Sequence, residues 1–246
     1  MPEDERPPAA AHLSGAAWLD LLASGELEVE GRLPWSSNYS FLAIVRHDEV
    51  EGRAVYKPGR GERPLWDFPG GLYRREVAAY ELSSALGLDV VPETVQRLDG
   101  PHGDGSVQRF VDADFAEHYY TLLTEPRYLD QLRRIAGFDL LANNADRKGG
   151  HVLVDWEDRL WGIDHGLCFH TEAKLRTVMW EFSGEELPSE ILAACERLVD
   201  SVPARLEPFL IDDERDALQE RARALLREPC YPAPREDYRA YPWPLV

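Results

Sequence analysis

Phe138 to His165 reads FDLLANNADRKGGHVLVDWEDRLWGIDH. It opens as the end of an apolar helix and turns polar at Asn143-Asn144-Ala145-Asp146-Arg147-Lys148-Gly149-Gly150-His151. A short hairpin follows. Val152-Leu153-Val154 is one arm, Trp156 to Arg159 the turn, and Leu160-Trp161-Gly162-Ile163 the other arm, with Asp164 where it ends. This order brings Asp146, His151 and Asp164 to one edge. A carboxylate in a basic loop, a ligand five residues later and a second carboxylate after a hairpin are the parts phosphoryl transfer needs. One group orients the attacking hydroxyl, and two hold the metal that bridges the phosphates.

Upstream, Ser14 caps a short helix, Ala16 to Ala23, which Gly25 closes. Alternation and apolar runs give strands at Leu27 to Leu33, Phe41 to Val45 and Arg53 to Lys57. The turn before the second strand offers backbone amides and the hydroxyls of Ser36 and Ser37, beside Asn38, to phosphate oxygens. It has no glycine run, and Ser and Asn are also ordinary turn residues. Lys57 ends an apolar strand, where a lysine also serves to block edge aggregation. The helix Leu72 to Leu86 leaves Glu76 at one border of its buried stripe, able to pair with Lys57 and hold it against a phosphate, or else to be a solvated charge beside Arg74 and Arg75. The Pro/Gly-rich loop between them carries Trp66 and Phe68. Strands at Val90 to Leu98 and Ser106 to Val111 flank a turn at Asp99 to Gly105. The chain near Phe110, Val111 and Asp112 then offers its backbone to an adenine edge.

Downstream, apolar residues from Tyr128 to Phe138 recur at helical spacing. Lys174 to Phe182 is where a substrate-facing loop would lie. Ser189 to Val199 and Glu214 to Leu226 read as amphipathic core helices, and the proline-rich tail from Pro229 as an extended surface segment.

A net charge of -18 over 246 residues makes nucleic acid a poor partner. No apolar run reaches the ~18 residues of a membrane span, and no basic amphipathic helix suggests a membrane substrate. Three cysteines without CxxC spacing are expected to be reduced thiols, and the acidic, proline-rich start is not a signal peptide, so a cytoplasmic location is expected.

With Lys57, Glu76, Asp146, Lys148, His151 and Asp164 in this order, the chain resembles the protein-kinase-like superfold. Within it, the chain is similar to the phosphatidylinositol 3-/4-kinase-like branch, especially type II phosphatidylinositol 4-kinases, and to small actinobacterial kinase-like proteins. The resemblance spans about residues 30 to 185. It is carried by Val55-Tyr56-Lys57-Pro58, Val107-Gln108-Arg109-Phe110-Val111, Asn143-Asn144-Ala145-Asp146-Arg147 and Gly162-Ile163-Asp164-His165-Gly166. It implies an α+β, two-lobed fold with a small β-rich N-lobe (13–111) and a helical C-lobe (112–228); the residues themselves give a disordered start (1–12) and an extended tail (229–246). It further implies ATP between the lobes, Lys57 on the α/β-phosphates with Glu76 as partner, and Asp146 as catalytic aspartate. Lys148 would steady the γ-phosphate, and Asp164 would bind Mg²⁺. Where the family has asparagine, this chain has His151, an imidazole better suited to Mn²⁺, or a hydrogen bonder behind the metal. The expected activity is an ATP- and metal-dependent phosphotransferase acting on a hydroxyl acceptor, a protein or small molecule before a lipid. A nucleotide-binding pseudokinase and a nucleotidyl (AMP) transferase on the same fold are the alternatives.

Overall fold

The computed structural model describes residues 13–33, 39–235 and 239–246. The chain divides into two compact units. The first comprises Met1–Val77 and Pro92–Asp112, the second Ala78–Val91 and Ala113–Val246.

The first unit is built on a five-stranded antiparallel sheet of β1 (Glu26–Arg32), β2 (Phe41–His47), β3 (Val50–Pro58), β4 (Thr94–Gly100) and β5 (Gly103–Arg109), in the order β1-β2-β3-β5-β4. Helix α1 (Gly15–Ser24) covers one face. Trp18, Leu21 and Leu22 of α1 pack with Ala43, Val45, Ala54, Tyr56 and Val107 of the sheet. Ser14 caps α1 by accepting from the Ala17 amide at 3.3 Å, as its sequence position implies.

The turn between β4 and β5 is tighter than expected. Glycine there signals close approach, not a long loop. Gly100 pairs with Gly103 across the hairpin. A Cβ at Gly100 would lie 2.5 Å from the Tyr56 hydroxyl, and one at Gly105 would lie 2.5 Å from the Lys57 carbonyl oxygen. Any larger residue at either place would drive the strands apart.

Helix α2 (Leu72–Ala85) follows a loop that is pinned at both ends. The Glu62 carboxylate accepts from the Gly71 and Tyr73 amides, both at 2.8 Å, which satisfies donors at the helix start that have no intrahelical partner. Gly87 then takes a left-handed φ of 63° just past the helix end.

The second unit is mainly helical: α3 (Tyr119–Leu122), α4 (Leu129–Ala142), α5 (Ser189–Asp200) and α6 (Asp212–Arg227), with the hairpin β6 (Val152–Val154) and β7 (Leu160–Gly162). Its core joins Leu82, Leu86 and Leu88 to Leu132, Ile135 and Phe138 of α4, Ile191 and Leu198 of α5, and Leu218 of α6. Gly137 lets α4 and α5 meet, since a Cβ there would lie 2.6 Å from Ile191. Among the described residues no helix is long and apolar enough to cross a membrane.

Candidate active site

Asn143 ends α4 by turning left-handed at φ 54°, and its side chain fastens what comes next. The Asn143 amide group donates to the His170 and Glu172 carbonyls at 2.9 and 2.7 Å, and its oxygen accepts from the Lys174 amide at 2.9 Å. Asn144 does the local work. Its Nδ2 donates to Asp139 Oδ1 at 2.9 Å, and its Oδ1 accepts from the Asp146 amide at 3.0 Å, fixing the backbone where Asp146 stands.

Arg147 lies under this loop with no exposed side-chain surface. Its guanidinium grips Asp139 of α4 through two bonds, Nε to Oδ2 at 2.7 Å and Nη2 to Oδ1 at 2.9 Å. The paired fork matches carboxylate geometry. Nη1 donates to the carbonyls of His151 (3.0 Å) and Ile163 (2.8 Å), while Nη2 lies 2.7 Å from His165 Nε2. Burial opposes its charge, yet Asp139 beside it holds the guanidinium above its usual value. One cation thus ties the start of the loop, its end at His151 and the strand end before Asp164. Gly162 leaves room for this, because a Cβ there would lie 3.2 Å from Arg147 Nη2.

The hairpin completes the edge. Val152 pairs with Gly162, and the Ile163 amide donates to the His151 carbonyl at 3.0 Å. Asp164 then turns left-handed at φ 60°, and its Oδ2 lies 3.3 Å from His151 Nε2. Lys148 Nζ is 3.1 Å from Asp146 Oδ2. Burial pushes the Asp146 carboxyl up to about 6; Lys148 pulls the other way, and Asp164 adds to the rise. Asp146, Lys148, His151 and Asp164, picked out by order in the sequence, therefore fall into two neighbouring pairs within the second unit, Asp146 with Lys148 and Asp164 with His151. Asn144 and Arg147 stood in a resemblance motif with no role of their own, and Asp139 was not picked out. A carboxylate set among apolar helix residues, Phe138-Asp139-Leu140, just before two asparagines was the available signal.

In the first unit, Lys57 Nζ meets Glu76 Oε1 at 2.5 Å, and the Glu76 side chain is only 4% exposed. The carboxylate is therefore a buried partner and not a solvated charge. Phe110 and Val111 follow β5. The Phe110 amide is committed to the Arg53 carbonyl at 3.0 Å, and the Arg53 guanidinium, itself paired with Asp112, stacks over the Phe110 ring at 4.8 Å. An adenine edge would thus have to use the backbone beyond the Phe110 amide. Ser36, Ser37 and Asn38 lie outside the described residues.

Among the described residues no group of three or more His, Cys, Asp or Glu side chains is gathered to hold a metal by itself. Asp164 with His151 is a two-donor set. That fits an ion whose other ligands are nucleotide phosphates and water: Mg²⁺ if Asp164 alone ligates, Mn²⁺ if the His151 imidazole joins it.

No family model matches the sequence. Solved structures that share the fold over most of the chain include two kinase-like proteins. A proinflammatory kinase from Helicobacter pylori, CtkA, is 10% identical, with 85% of this chain and 94% of that one covered at a TM-score of 0.50. Fam20 from hydra, solved with sugar, is 14% identical, with 87% and 88% covered at a TM-score of 0.54. The architecture is therefore the mixed α+β, kinase-like one, with an antiparallel sheet first and helices after. Protein Rv2133c of Mycobacterium tuberculosis is 40% identical over 262 aligned positions, 91% of this chain and 94% of its own. At that identity and coverage, the chain belongs to the same family as Protein Rv2133c.

Proposed function

We propose that the protein is an ATP- and divalent-metal-dependent phosphotransferase that acts on a hydroxyl acceptor. The observation that carries this reading is the paired arrangement of Asp146 with Lys148 and Asp164 with His151, fixed from beneath by one buried arginine. Phosphoryl transfer asks little covalent chemistry of a protein. It asks for positioning and for charge placed where the transition state needs it.

Asp146 is the group that orients the acceptor hydroxyl and takes its proton. A carboxyl pushed up to about 6 is a better base near neutral pH than an ordinary aspartate. Lys148 stands 3.1 Å away and steadies the transferring phosphoryl group. Lys57, aimed by Glu76, holds the α- and β-phosphates. Asp164 and His151 supply the protein's donors to a metal, which when bound neutralises phosphate charge. The Asn143–Asn144 hydrogen bonds and the Arg147 fork keep these groups in place before substrate arrives, which is where preorganisation lowers the barrier. One structural neighbour, CtkA, is a kinase, which supports the reaction class. The acceptor is more readily a protein or small soluble alcohol than a lipid, given a net charge of -18.

The test uses ATP labelled separately at the α- and γ-phosphates, with Mg²⁺ and then Mn²⁺, beside Asp146→Ala and Asp164→Ala. Release or transfer of the γ label alone, lost in both variants, is expected. Transfer of the α label would establish nucleotidyl transfer instead. ATP binding with no turnover in any metal would leave a nucleotide-binding pseudokinase.

A further inference from the structure

Residues 239–246, Arg-Ala-Tyr-Pro-Trp-Pro-Leu-Val, do not simply rest on the surface. They are held at the candidate site by main-chain carbonyls. The Ala240 oxygen accepts from the Thr177 amide at 3.0 Å and from Trp180 Nε1 at 3.1 Å. The Leu245 oxygen accepts from the Gly149 amide at 2.7 Å. Gly149 sits between Lys148 and His151, and Val246 lies over it closely enough that a Cβ on Gly149 would be 3.2 Å from a Val246 methyl.

The donors come from a layered edge. Arg176 donates to the Asn144 carbonyl, Arg147 donates to the Arg176 carbonyl, and Val178 donates to the Arg147 carbonyl, at 2.9, 3.0 and 3.1 Å. Residues 176 and 178 therefore face the catalytic loop, and the Thr177 amide, alternating, faces outward. Two outward main-chain amides, of Thr177 and Gly149, together with the Trp180 indole, recognise main-chain carbonyls without regard to the side chains beside them. Pro242 and Pro244 bring no amide hydrogen, so at these positions the segment can only accept. It also carries no serine or threonine. Its one hydroxyl is the Tyr241 phenol.

We propose that this edge is the acceptor site for a polypeptide segment, and that residues 239–246, which bend at Tyr241, Trp243 and Pro244, occupy it as a tethered stand-in which an acceptor must displace. The proposal rests on the phosphotransferase reading. In the step it implies, a serine or threonine hydroxyl of the displacing peptide attacks the γ-phosphorus. The bond to the β-phosphate oxygen breaks, ADP leaves, and the hydroxyl proton passes to the Asp146 carboxylate.

A tethered competitor acts at an effective concentration on the order of millimolar, so the unaltered chain should transfer to soluble peptides poorly. Ala240 is buried, and Ala240→Glu should release the segment. Trp180→Phe, which keeps the ring and loses one donor, should loosen it less and is the milder control. In the full chain, hydrogen exchange at the Gly149 and Thr177 amides should speed up by roughly tenfold or more in Ala240→Glu while α4 and α6 keep their protection. A synthetic peptide of sequence RAYPWPLV should restore the protection. Transfer of the γ label to an unstructured serine-containing peptide should rise about tenfold in the variant, and RAYPWPLV should suppress it. Unchanged exchange at Gly149, no protection by RAYPWPLV, or a peptide labelled no better than free serine would each overturn the proposal. If neither protein turns over ATP, the phosphotransferase reading fails, and the exchange arm still decides whether this edge binds peptide.

Discussion

Replacing Asp146 by asparagine should make the protein more stable, and by an amount that depends on pH in a definite direction. The Asp146 carboxyl moves from an ordinary value of 3.8 to about 6, with burial the largest cause. Its side chain is 23% exposed, so solvent screening is modest. An acid whose folded-state value is raised is disfavoured in its charged form by folding. The cost is complete above about 6, shrinks as pH falls towards 3.8, and is absent below it. The shift corresponds to about 3 kcal/mol at pH 7.5 and about half that at pH 5. Asparagine carries no charge to desolvate, but it also withdraws the partner of Lys148, which lowers the expected gain to about 2 kcal/mol at pH 7.5. For a chain of this size that is a rise in Tm of about 4–8 °C. Calorimetry of parent and Asp146→Asn, without nucleotide or metal, at pH 7.5 and 5 measures it. A variant less stable than the parent at pH 7.5, or a gain that does not shrink at pH 5, would refute the reasoning. Stability gained by disarming a site is the signature of a group placed there for chemistry and not for folding.

Arg147→Ala should cost about 3–5 kcal/mol, because it strands the Asp139 carboxylate, 1% exposed, and releases the carbonyls of His151 and Ile163. Denaturant titration reads the loss, and Arg147→Ala with Asp139→Leu should recover part of it. Lys57→Met should weaken ATP binding by roughly tenfold or more through loss of a phosphate contact and should also destabilise the first unit by leaving Glu76 buried; adding Glu76→Leu should restore stability but not affinity, in paired calorimetric titration and melting. Glu62→Ala should cost about 0.5–2 kcal/mol, since two amides at the start of α2 lose their acceptor, and hydrogen exchange should rise first at Gly71 and Tyr73.

Much of the site was legible because its residues are ordered along the chain by elements with clear periods. α2, α4, α5 and α6 each lie within three residues of where apolar spacing puts their ends, except that α4 runs on to Ala142. The hairpin β6–β7 places Asp164 as its arms imply. What could not be read is what arises from packing. The grip of Arg147 on Asp139 joins residues whose side chains look like an exposed cation and a helix-face acid until the helix is known to bury them. The glycines at 100, 103 and 105 suggested a loop of seven residues, whereas the reason for Gly100 and Gly105 is the Tyr56 ring and the Lys57 carbonyl lying against them, and for Gly103 a left-handed φ of 98°. The tail was expected to be a surface segment. Its anchorage depends on amides of Gly149 and Thr177 whose direction no side-chain pattern encodes.

The strand order β1-β2-β3-β5-β4 also sets a timetable for a chain made from its N-terminus. The partner of β3 on its inner side is β5, which begins at Gly103, and α2 with the rest of Ala78–Val91 is synthesised in between. Until β5 emerges, β3 presents an unfilled edge of hydrogen-bonding groups, the kind of surface on which nascent chains misassociate. At about 5–20 residues per second that exposure lasts a few seconds. Synonymous changes that slow translation between Pro58 and Gly103 should therefore lower the yield of folded protein even though they alter nothing in its final form.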